Sequence, residues 1–282
     1  MLLLADPDKT LKPKLQFFNT LGISGPTLGK IISSRSCILT QNLENTIIPS
    51  VNYLRGLVGT DKLPILLSRI WQLFHNTEFV MGSNIAFLRH HGVPHSNVTK
   101  FIIRSPQSLH RNSDLFNKAV LEVVRIGIDP TSMNFLDGLH VLMALTKPAW
   151  DKKVTVCRSF GWSDDEILET FKRNPRFMTI SAKKMTLALE FFMNSLKWTP
   201  EDVSRNSTVI SLSLKRRVIP RCHVLQILLS KHLIRKISIG QALRDSDVVF
   251  LKKYVSNYHN EVPDLLKAYQ SKLNTQGESV QK

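Results

Sequence analysis

Cysteine is scarce in this chain, and what there is stands far apart. Cys37, Cys157 and Cys222 are an odd, scattered set. That excludes a disulfide framework and the paired-cysteine spacing of a structural zinc site, and it fits a reducing compartment. Glycine and proline number only 12 and 13 in 282 residues, too few for a collagen-like or low-complexity chain. No apolar run approaches the roughly 18 residues that a membrane-spanning helix needs. The segment from Met1 to Asp6 has no basic leader, and no Arg- and Ser-rich amphipathic stretch precedes the folded pattern. Acidic residues are also few: 22 against 38 Lys and Arg, a net charge of +16. Such a balance points to a polyanionic partner and says nothing about fold.

Signatures of catalysis are missing as well. There is no phosphate-cradling GxxxxGK[ST], no GxGxxG and no HExxH. His90, His91 and His95 come nearest to a metal cluster, but Gly92 and Pro94 break the helix face and no Cys or carboxylate completes a ligand set. Cys222-His223 reads as core. Asp164-Asp165-Glu166 reads as the start of a helix. The chain therefore reads as a non-enzyme with neither metal nor cofactor.

What is there is a repeat. Residues 28–39, 98–109 and 167–178 align with Ser36, Pro106 and Pro175 in register. Trp71 and Ser207 fill the same slot in two more copies, and a weak copy centres near Val141. The spacing is about 35 residues, which marks a helical solenoid. Eight, five and four residues before the anchor lie Leu28/Ile31/Ile32, Leu63/Leu66/Leu67 and Val98/Phe101/Ile102, the spacing of one helix face. Three residues after it come Leu39, Phe74, Leu109, Met178 and Ile210.

Each unit is expected to hold two helices and a short third one. The first ends near Gly22, Gly59, Gly92, Gly127 or Gly161, which suit a left-handed cap. Pro13, Pro49 and Pro220 suit its first turn. The second opens at a cap residue, Ser24, Ser96 or Ser163, and Ser163-Asp-Asp-Glu166 forms a capping box. It stops at the anchor, where proline cannot continue it. Trp198 to Ser207 is four residues shorter than Trp162 to Pro175, so the second helix there should lose about one turn. The expected architecture is an all-α, right-handed helical-repeat superhelix over residues 1–273, with a disordered tail at 274–282.

The positive charge is concentrated. Residues 171–244 hold 15 basic and 3 acidic side chains. Arg69, Arg104, Arg173 and Arg205 each stand two residues before an anchor, where an Arg could contact a nucleic-acid backbone or merely complement the helix C-terminal dipole. Lys215, Arg216, Arg217 and Arg221 form the densest cluster, and Arg173 and Arg176 bracket Pro175 ahead of Lys183-Lys184. These are the candidate phosphate contacts.

Several strings carry a resemblance: Leu3 to Leu11, Gly161-Trp-Ser-Asp-Asp-Glu-Ile167, Phe171-Lys-Arg-Asn-Pro175, Ser211-Leu-Ser-Leu-Lys-Arg-Arg217, Ile219-Pro-Arg-Cys222 with Val224 to Lys231, and Glu261 to Gln270. With the proline-anchored repeat, the chain resembles the mitochondrial transcription termination factor (mTERF) family, in its land-plant branch. The resemblance implies a superhelix with a basic concave groove. It implies binding of double-stranded DNA, or RNA in some members, and action in mitochondria or chloroplasts on termination, transcript maturation or splicing. Arg69, Arg104, Arg173, Arg205 and the 215–221 cluster are the groove candidates it implies. It implies a monomer, off the membrane, with nucleic acid and organellar proteins as partners. The competing reading is a solenoid scaffold for protein partners. Counting back 35 residues from Ser36 puts an anchor at residue 1, so the chain is expected to start inside a repeat, with a transit peptide and earlier repeats missing.

Overall fold

The computed structural model describes residues 7–34, 36–70, 77–235 and 237–274. Among these every regular element is helical. The chain divides into two compact units, 1–146 and 147–282.

The first unit holds α1 (Lys12–Thr20), α2 (Gly25–Ser34), α3 (Ile48–Val58), α4 (Leu63–Arg69), α5 (Thr77–His90), α6 (His95–Arg104), α7 (Pro106–Leu109), α8 (Ser113–Ile126) and α9 (Met133–Ala144). First helices pack on first helices, α3 on α5 and α5 on α8. Second helices do likewise, α2 on α4, α4 on α6 and α6 on α9. The second unit holds α10 (Lys147–Ser159), α11 (Asp164–Arg173), α12 (Ala182–Leu189), α13 (Pro200–Arg205), α14 (Ile219–Ser230), α15 (Ile239–Arg244), α16 (Asp247–Tyr254) and α17 (Leu265–Asn274). There α10 packs on α12, α11 on α13, and α17 closes over α14. This is the helical-repeat solenoid that the periodicity anticipates.

The apolar register explains the stacking. Leu28 and Ile31, then Leu63, Leu66 and Leu67, then Val98, Phe101 and Ile102 are all buried, as are Leu39, Leu109, Met178 and Ile210 beyond the anchors. Phe101 and Phe171 are fully enclosed; each such side chain contributes roughly 2–3 kcal/mol on leaving water. Pro106 opens α7, and Pro175 and Ser207 open 3₁₀ turns, Pro175–Thr179 and Ser207–Ser211. The anchor is therefore the first residue of the short third helix. Trp71 and Phe74 lie outside the described residues, as do residues 1–6 of the partial repeat expected at 1–10, and the tail from 275.

The five glycines take positive φ, between 73° and 85°, which β-carbon-bearing residues avoid. The Ser163–Glu166 capping box is present in both directions, and α13 has 6 residues where α11 has 10, one turn fewer.

Two readings need correction. Val141 does not end a helix: it is buried inside α9, which continues to Ala144. No short third helix follows, and α10 begins after two residues. The repeat is longer here, and the division between the two compact units falls at this place. Ser96 does not cap α6; Pro94 holds the cap position without a side-chain bond. Pro13, Pro49 and Pro220 take the second position of α1, α3 and α14, in the first turn as expected. Helical backbone begins earlier, at Leu43 and Leu214, capped by Asn42 and Ser213. A widened π turn precedes each proline, and Pro13 follows one at Pro7–Leu11. Proline removes one i→i−4 donor and crowds the turn behind it, and a local π turn accommodates both defects without ending the helix.

A polar staple also recurs. Lys14, Asn84 and Lys153 stand on first helices, and each donates across its unit to a carbonyl 25 residues on: Leu39 at 2.6 Å, Leu109 at 2.9 Å, and Met178. All three are buried. Each ties the first helix to the short third one, whose carbonyls would otherwise lack partners. Burial pushes the Lys14 and Lys153 ammoniums below the usual lysine range.

Candidate nucleic-acid interface

The arginines two residues before the anchors close their second helices, where the C-terminal dipole favours a cation. Each has a protein partner. Arg69 donates to the Ile103 carbonyl at 2.8 Å, reaching from α4 to α6. Arg104 pairs with the Asp137 carboxylate, from α6 to α9. Arg173 reaches the Ser204 hydroxyl at 3.5 Å, from α11 to α13. Arg205 turns back onto Glu201 of its own helix at 2.7 Å. A further member went unseen in the sequence. Arg244 closes α15 and reaches the Asn206 side-chain oxygen at 3.1 Å. Its 39-residue spacing from Arg205 hid it. The ladder is thus, in large part, a set of clips between successive second helices. Its exposed guanidiniums still present charge to solvent: Arg69, Arg173, Arg205 and Arg244 are exposed.

The 215–221 cluster divides. Arg221 is fully buried. Its Nη1 donates to the Ala242, Leu243 and Asp245 carbonyls at 2.9, 3.2 and 2.6 Å, its Nη2 pairs with Asp247 at 2.6 Å, and its guanidinium lies 4.5 Å over the Phe250 ring. It cannot meet a phosphate, and its expected role is withdrawn. Arg217 is partly engaged, donating to the Asp245 carbonyl at 3.2 Å. Lys215 and Arg216 are exposed, with no side-chain partner among the described residues. Arg176 is half-buried beside Pro175.

Lys215 and Arg216 sit in the first turn behind the Ser213 cap, whose hydroxyl accepts from the Arg216 amide at 3.2 Å. One repeat earlier, Lys183 and Lys184 sit in the first turn behind Ser181 in the same way. Lys183 is exposed, while Lys184 donates to the Ser211 carbonyl. A cation at a helix N-terminus faces the positive end of the macrodipole, a cost of roughly 0.3–1 kcal/mol. Helix stability therefore does not explain these side chains. Together with the positive end of the helix dipole they make an environment suited to an anion.

The charge follows the units: 14 Lys and Arg against 9 Asp and Glu in residues 1–146, and 24 against 13 in 147–282. The histidines are turned onto protein groups, His95 Nδ1 to Arg89 at 2.7 Å and His91 Nδ1 to the Phe87 carbonyl at 2.9 Å. No helix among the described residues is long and apolar enough to cross a membrane.

A family model described as mTERF matches residues 1–190 and, in a second overlapping match, 140–251. The chain belongs to the mTERF family. Membership places it among helical-repeat, nucleic-acid-binding regulators of organellar gene expression, a family not known for enzymes. No curated protein matches this mTERF-family chain by sequence.

Proposed function

We propose that this mTERF-family chain binds the backbone of double-stranded DNA, with structured RNA as the other substrate of the class, and acts in termination or maturation of transcripts in a mitochondrion or chloroplast. The observation that carries the reading is the pair of first-helix starts at Lys183 and at Lys215/Arg216. There, exposed cations stand against the local dipole at a helix N-terminus. Arg69, Arg173, Arg176 and Arg205 supply further positive charge to the same partner class, largely through sequence-independent contacts.

Fluorescence anisotropy with duplex DNA and hairpin RNA over a salt series tests this. Affinity should fall as salt rises, and Lys215→Glu with Arg216→Glu should weaken all sequences alike. Salt-independent binding, or none, would overturn it.

A specific observation favours a second reading, that of a protein scaffold. Phe79 on α5 and Leu115 on α8 are 75% and 65% exposed near the starts of two packed first helices, where the second unit carries lysines. Apolar exposure of that kind suits a protein contact.

A further inference from the structure

The arginine clips need only an acceptor, and the acceptors differ in charge. Arg69 uses a backbone carbonyl and Arg244 an amide oxygen, while the exposed Arg205 pairs with Glu201 of its own helix. The acceptors of Arg69 and Arg244 leave the guanidinium charge in place. At Arg104 the acceptor is the Asp137 carboxylate, whose side chain is only 11% exposed while that of Arg104 is 37% exposed. A neutral group can also close such a clip, as the Ile103 carbonyl does for Arg69. What the carboxylate adds is cancellation of charge. The two flanking elements, α6 and α9, stack as the other second helices do, so the substitution changes electrostatics and not architecture.

We infer that Asp137 is an internal counter-ion that silences the Arg104 rung and so limits sequence-independent backbone affinity in the first unit. The inference rests on the nucleic-acid reading above. Backbone contacts add affinity for every sequence alike. Holding one rung neutral lowers that background and leaves the remaining contacts a larger share of the discrimination. A polyanion phosphate approaching Arg104 must compete with a carboxylate already in contact with it, whereas at Arg69 and Arg244 it displaces a neutral acceptor or shares the guanidinium with it.

The test uses the full chain, a random-sequence duplex DNA and a salt series. Asp137→Asn should tighten binding and steepen the salt dependence by about one phosphate contact. Between 50 and 200 mM salt, that is about 3.5-fold more affinity lost than in the wild type. The gain should vanish in the Arg104→Gln/Asp137→Asn double variant, because it acts through Arg104. Asp137→Ser, which copies the acceptor found at Arg173, gives the same reading if the asparagine variant folds poorly. A folded Asp137→Asn or Asp137→Ser protein with wild-type affinity and slope would overturn the inference while leaving the nucleic-acid reading intact. So would a gain that survives the loss of Arg104. Absence of salt-dependent binding in the wild type would remove both.

Discussion

Arg221→Met separates a structural arginine from a phosphate-binding one. The side chain is wholly enclosed and joins α14 to the end of α15 and the start of α16 through four hydrogen bonds. Methionine keeps the apolar stem and the packing on Phe250 but supplies no donor. The carbonyls of the buried Ala242 and Leu243 then lose this donor, at roughly 1–3 kcal/mol each, while that of Asp245 keeps Arg217. Asp247, whose side chain is 70% exposed, returns to water at little cost. Relief from burying a guanidinium offsets part of the loss. The net expectation is about 3–5 kcal/mol of destabilisation, the range for breaking a buried charge network. Arg221→Lys should fall between, because one ammonium cannot span the fork of acceptors. Urea unfolding followed by circular dichroism reads the stability, and anisotropy on duplex DNA below the transition reads the binding. Unfolding should become easier with affinity unchanged. A loss under about 1 kcal/mol would refute the clip, and an unchanged unfolding midpoint with weakened binding would restore Arg221 to the phosphate contacts.

Three other perturbations have definite signs. Ser163→Ala and Thr199→Ala each remove a capping box and should cost about 1 kcal/mol apiece in the unfolding free energy. Gly240→Ala places a methyl 1.8 Å from the Asn206 side-chain oxygen and displaces the acceptor of Arg244, so it should cost about 1–3 kcal/mol in the same assay; a neutral effect would mean the junction is looser than drawn. Lys153→Met tests the buried ammonium. Its folded value lies below the ordinary 10.5, so the unfolded chain binds more protons in the window between the two. Wild-type stability relative to the methionine variant should therefore rise with pH through that window and level off above 10.5. A difference that does not change with pH would refute the assignment.

Much of the fold was legible because solenoid stacking writes the same demand every 35 residues. Glycine at a left-handed cap and apolar side chains four and five residues before a helix stop have few alternatives. The failures are places where a local signal had two structural solutions. Pro49 and Pro220 do stand in the first turn of α3 and α14, but proline alone does not reveal the widened turn ahead of each. Val141 matched a spacing, but the helix capping that would have marked an end is absent there. The polar staples were invisible as a class because Lys14, Asn84 and Lys153 share a geometry and not a residue type. Asp137 was invisible because a single carboxylate carries no pattern until its partner across the helix pair is known.

The site was harder to read than the fold for a related reason. A side chain that recurs at one repeat offset answers first to whatever recurs in the structure. For Arg69, Arg104 and Arg173 that is the junction between second helices and the negative end of a helix. Periodicity was therefore weak evidence of ligand contact, although it made the ladder conspicuous. The same logic makes departure from the period informative. Eight residues past the anchor, the first unit carries Phe79 and Asp114, while the second carries Lys183 and Lys215. The described starts behind Asn112, Ser181 and Ser213 are capped alike, so the scaffold does not call for lysine there, and the dipole opposes it. Irregular charge on a regular frame is what a partner, and not the fold, would select. That places more weight on Lys183, Lys215 and Arg216 than on the arginine ladder, and a Lys183→Glu variant should lose as much duplex affinity as Lys215→Glu. A Lys183→Glu chain that binds like the wild type would return the weight to the ladder.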